Sequence, residues 1–106
     1  MLYSLLVKIN KEENIVEILP VDDNDEIKKE LFELLTSNIN YFTKSLEINI
    51  EIDEMNKCMK STITNLDHEW TKTYKKLTAG SIFMLIHSMA DYINGIEWTE
   101  TYTSCN

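Results

Sequence analysis

The chain has 106 residues, 43% hydrophobic and 26% charged, a balance that suits one globular domain with a modest core and excludes disorder as its bulk state. Two glycines and one proline exclude a Gly-rich nucleotide loop, a collagen and a turn-dense β-sandwich. Ten lysines, no arginine and 18 acids leave a net charge of −8. Without a basic stretch, direct nucleic-acid binding and attraction to an anionic membrane are disfavoured, because both draw on Lys and Arg displacing counterions.

In residues 2 to 9, Tyr3, Leu5, Val7 and Ile9 alternate with Ser4, Leu6 and Lys8, the period of a strand with one apolar face. A polar stretch, Asn10 to Asn14, separates it from IVEIL, which is β-branched and ends at Pro20, so the two runs are expected to form a β-hairpin. The next segment opens on acid, with Asp23 and Glu26 at capping-box spacing. Ile27, Leu31, Leu34, Leu35, Ile39 and Phe42 then recur at helical steps, giving an amphipathic helix of four to five turns whose wet face holds Lys28, Lys29, Glu30, Glu33 and Thr36. In LEINIEI, Leu46, Ile48, Ile50 and Ile52 alternate with Glu47, Asn49 and Glu51, the pattern of a half-buried strand.

From Met55 the steps lengthen. Met55, Met59, Ile63, Leu66, Trp70, Tyr74 and Leu77 stand three or four apart and predict a long helix stopped by Gly80, although the β-branched run at 61–64 weakens its middle. Ser81 is the expected cap of a further helix facing the core through Ile82, Leu85, Ile86, Met89 and Ile93, and Gly95 ends it. Ile96, Trp98 and Tyr102 suggest a last short strand. The expected architecture is a single α+β domain over residues 1–106, a small antiparallel sheet (the hairpin plus one or two further strands) packed against two or three helices. The third strand is expected beside the first.

Candidate chemistry is sparse. Asp22, Asp23, Asp25 and Glu26 could gather a hard cation, but Ile27 stands where a calcium loop needs glycine, and carboxylates there also complement the start of a helix. His68 and His87 lack zinc-protease spacing, and His87 among Leu85, Ile86 and Met89 reads as a hydrogen-bonded core residue. Cys58 and Cys105 are too few and too far apart for a disulfide framework and read as inert thiols in a reducing compartment. No signal-peptide pattern, no sequon and no bilayer-length apolar run is present, so a cytoplasmic location is expected, with no metal and no cofactor.

Acid on wet faces is the remaining signal. Glu12 and Glu13 fall in the hairpin loop, Glu30 and Glu33 on the wet side of the first helix, and Glu47 and Glu51 on the wet side of the third strand. Such side chains can imitate phosphate spacing along a nucleic-acid backbone, or they can simply be solvated. The expected function is a non-enzymatic protein-binding domain, an acidic inhibitor of a basic-surfaced, nucleic-acid-processing protein of the anti-defence or toxin-immunity kind. The alternative is an assembly subunit, such as a homodimer, that pairs through a strand edge and the C-terminal aromatics Trp98 and Tyr102.

Overall fold

The computed structural model describes residues 2–19, 26–66, 68–73 and 77–93. Alternation in the first two runs gives strands β1 (Leu2–Asn10) and β2 (Ile15–Leu19), paired antiparallel with Val7 opposite Ile18 and Ile9 opposite Val16. Helix α1 (Glu26–Ser37) and a 3-10 turn (Ile39–Tyr41) follow, and then strand β3 (Leu46–Asp53). As expected, β3 lies beside β1, with Leu5 opposite Ile50 and Val7 opposite Ile48. Since β1 is antiparallel to both neighbours, β2 and β3 run parallel, and α1 makes the crossover over β1 that such a pair needs.

The long helix predicted over Met55–Leu77 is not there. In its place are strands β4 (Cys58–Ile63) and β5 (His68–Thr73), each antiparallel to the strand before it, and the described residues form a five-stranded sheet in the order β2-β1-β3-β4-β5. A step of four is also two strand periods, so Met59 and Ile63 satisfy both patterns, whereas Met55, expected on the buried stripe, is 81% exposed in the β3–β4 turn. Met59 and Ile63 are indeed buried, with Ser61 between them on the same inward row. The turn at 64–66 then shifts the phase, which the sequence shows as a step of three. Tyr74 lies outside the described residues.

Both the β1–β2 and β3–β4 turns have four residues and one construction. The first residue before the turn is Asn10 or Asp53, whose side chain accepts the N–H of Glu13 (3.1 Å) or Asn56 (3.2 Å). The last turn residue, Asn14 or Lys57, takes the left-handed conformation at φ 56° or 53°.

Helix α2 (Ala79–Ile93) begins before Gly80, so that glycine is its second residue and does not stop a preceding helix. Its cap is Thr78, not Ser81. Ser81 N–H donates to Thr78 Oγ1 (3.1 Å) while Thr78 N–H donates to Ser81 Oγ (2.9 Å), a reciprocal capping box with serine in the acceptor's place. Ile82, Leu85, Ile86 and Met89 are fully buried, as their spacing implies, and Ile93 packs against the same core.

Helix α1 is shorter than its apolar stripe. Asn38 turns its side-chain amide back to Leu34 O (2.7 Å), and the chain tightens there into the 3-10 turn, leaving Ile39 and Phe42 still buried. Lys28 is buried rather than on the wet face, because it shares the three- and four-residue spacing of Leu31 and Leu35. Leu31, Leu35 and the α2 stripe cover one face of the sheet, meeting Leu5, Val7, Ile48, Ile50, Met59 and Ile63 in a single core. A T-shaped contact between Trp70 and Tyr92 (4.8 Å) joins β5 to α2. The expected cap Asp23, the stop at Gly95 and the strand bearing Trp98 and Tyr102 lie outside the described residues.

Candidate protein-interaction face

The residues that alternate with the core row point out of the other sheet face, which no described element covers. They are Ile15, Glu17 and Leu19 on β2, the even-numbered residues of β1, Glu47, Asn49, Glu51 and Asp53 on β3, Cys58, Lys60 and Thr62 on β4, and Glu69, Thr71 and Thr73 on β5. Glu17, Glu47, Glu51, Asp53 and Glu69 face only Lys8 and Lys60, so the face is acidic but mixed.

The lysines are placed by register. Lys8 stands between Glu17 and Glu47 and reaches Glu47 at 4.0 Å; Lys60 is opposite Glu51 and reaches the diagonal Glu69 at 3.4 Å. All four paired side chains are close to half exposed, so each bridge contributes under about 1 kcal/mol and is readily exchanged for a partner's charge.

At one end of this face, Glu47 is fixed from both sides. Its N–H donates to Asn65 Oδ1 (3.1 Å), its carbonyl accepts from Thr64 N–H (2.8 Å), and Asn65 Nδ2 donates to Ser45 O (3.1 Å). The hairpin loop is tied to the same end by Lys11 N–H donating to Ser45 Oγ (2.9 Å). Lys8, Asn10, Ser45, Glu47 and Asn65 line a recess of about 270 Å³ there. At the other end, Leu2, Glu51, Asp53, Asn56, Cys58 and Lys60 line one of about 250 Å³. Asp53 is held below the ordinary carboxylate value first by the Asn56 side-chain amide (2.7 Å) and then by the Asn56 N–H.

Of the six acids singled out from the sequence, Glu12, Glu13 and Glu47 gather at the loop end of the sheet, and Glu51 lies further along the same strand face. Glu30 and Glu33 do not join them. Helix α1 packs on the apolar face of the sheet, so its wet side turns away on the opposite side of the molecule, where Glu30 and Glu33 border a separate shallow recess. Glu17 was legible as the wet position between Val16 and Ile18, whereas Glu69 was hidden by reading residues 55–77 as a helix.

His87 is half-buried and stacks on Tyr41 (3.8 Å between ring centres), with Nδ1 3.7 Å from Asp91 Oδ2. It joins α2 to the 3-10 turn, a packing role. Cys58 is not the inert thiol expected: it is disulfide-bonded. Asp22, Asp23 and Asp25 lie outside the described residues, and among the described residues no cluster of metal-ligating side chains occurs. Among those same residues no helix is long and apolar enough to cross a membrane. Comparison with family models, curated proteins and solved structures gives no match.

Proposed function

We propose that this chain is a non-enzymatic binding domain that recognises a basic-surfaced protein, such as a nucleic-acid-processing enzyme, through the outer face of its sheet. The observation that carries the reading is the open face itself: acid exceeds lysine there, on rigid strands. Rigid placement favours binding because little side-chain and backbone freedom is lost on association. The alternation of Glu17, Lys8 and Glu47 across three strands favours a protein surface of matched, mostly basic charge over a partner that needs an unbroken row of phosphate-like acids.

The test compares the two acidic sides. Glu47→Gln/Glu51→Gln removes charge from the sheet face without setting lysine against Lys8 or Lys60, and Glu30→Gln/Glu33→Gln does the same on α1. Both variants should fold, since exposed substitutions change stability by about 0.5 kcal/mol or less. For a partner captured with the wild type, affinity is measured at low and high salt. The sheet-face pair should weaken binding at least about tenfold, mostly through slower association, with the α1 pair near wild type. Binding indifferent to salt and to the sheet-face pair overturns the reading.

A further inference from the structure

Strand β2 is an edge of the sheet, paired with β1 on one side and with no described strand on the other. The outward main-chain groups of such a strand are a template for one more strand. Its inward row is already covered: Val16 is buried, Ile18 packs against the core, and α1 lies against the strand. On its outer row Ile15 and Glu17 are exposed. The register draws a line of alternating charge across three strands to this edge, from Glu47 on β3 through Lys8 on β1 to Glu17 on β2. Lys8 reaches Glu47, which leaves Glu17 without an ion pair among the described residues. The next place outward, where another strand would lie, therefore calls for a cation. We propose that the β2 edge captures an extended segment of a partner protein, with lysine or arginine opposite Glu17 and apolar or β-branched residues opposite Ile15 and Leu19.

The same acid disfavours a second copy of this chain. In a twofold antiparallel pairing centred on β2, Ile15 meets Leu19 and Glu17 meets its own twin, like charges directly opposite. Pro20 comes next in the sequence and has no N–H with which to lengthen such a ladder. A basic segment turns that repulsion into a cross-strand bridge. Main-chain bonds then supply the affinity, and the alternate side chains supply the selection. The edge is a surface distinct from the outer sheet face, and its capture of a strand does not require that face to bind anything.

The experiment titrates the isotope-labelled full chain, followed by amide NMR, with the capped peptide Lys-Val-Thr-Lys-Ile-Val-Lys. Shifts should saturate and centre on Ile15–Leu19, and the outward amides of β2 should gain protection from exchange. A peptide with proline in place of the threonine and of the second valine keeps the charge but breaks the ladder whichever side faces β2, so it should not bind. Changing the central lysine to glutamine should weaken binding to the wild type by about two- to fivefold, and binding to Glu17→Gln by clearly less. Absence of saturable shifts at millimolar peptide, shifts confined to β3, β4 and β5, equal binding of the proline peptide, or no coupling between the central lysine and Glu17 overturns the proposal. So does movement of the β2 amides with the chain's own concentration, which would make a second copy the occupant.

Discussion

Ser61 is fully buried on the inward row of β4, between Ile50 on one side and Trp70 on the other, and its hydroxyl has no hydrogen-bond partner among the described residues. A buried hydroxyl left unmatched costs about 1–3 kcal/mol in lost hydration. Ser61→Ala should therefore raise stability by about 1 kcal/mol, read as a higher urea midpoint at unchanged slope; a loss of similar size would mean the hydroxyl is bonded. Asp53 acts through charge. Its folded carboxyl titrates below the ordinary 3.8, because the Asn56 side-chain amide and then the Asn56 N–H favour the ionised form. The contribution is fully present above the unfolded value near 4 and fades as pH falls below it through the depressed folded value. Tm followed from pH 6 to pH 2 should thus drop more steeply at the acid end for wild type than for Asp53→Asn. Parallel curves would show that the turn carboxylate carries no such linkage.

At the scale of elements, what the sequence disclosed depended on whether a pattern had one solution. LEINIEI admits only period two, and β3 spans it beside β1 as expected; the structure adds that it is the central strand of the sheet. The stripe beginning at Met55 had two solutions, and the polar Ser61 in an inward position concealed the alternation that would have separated them. The β-branched Thr62, Ile63 and Thr64 and the Asn56-Lys57 turn pair were the signals on the strand side. The acidic site was legible as wet positions but not as a surface, although one rule would have divided it: a helix covering a sheet's apolar face must turn its own wet side away from the sheet's wet side. Helix α2 offers a sharper test. If Thr78 is its cap, Thr78→Ala loses the bond to Ser81 N–H and about 1 kcal/mol of stability by thermal melt, and Ser81→Ala loses the reciprocal bond to Thr78 N–H. An effect from Ser81 with none from Thr78 would restore the later start.

The whole molecule rests on one core. Leu46, Ile48, Ile50 and Ile52 of β3 are at most 2% exposed, and both helices and β1 and β4 share their cluster. Ile50→Ala should cost about 3–4 kcal/mol, a large fraction of the 5–15 kcal/mol that holds a domain of this size. Leu2→Ala at a 77% exposed position should change little. Circular dichroism and tryptophan fluorescence should follow one urea transition, shifted together in Ile50→Ala; separate transitions would divide the core. The strand order also has a consequence during synthesis. β1 pairs with β2 at once, but its other neighbour, β3, lies roughly forty to fifty residues downstream in the register. At ribosomal speeds of about 5–20 residues per second, the newborn hairpin waits some seconds with one edge unpaired and Leu5, Val7 and Ile9 uncovered. For that interval the nascent chain carries an unpaired apolar strand edge, the kind of surface that is open to non-native pairing before the finished fold can cover it.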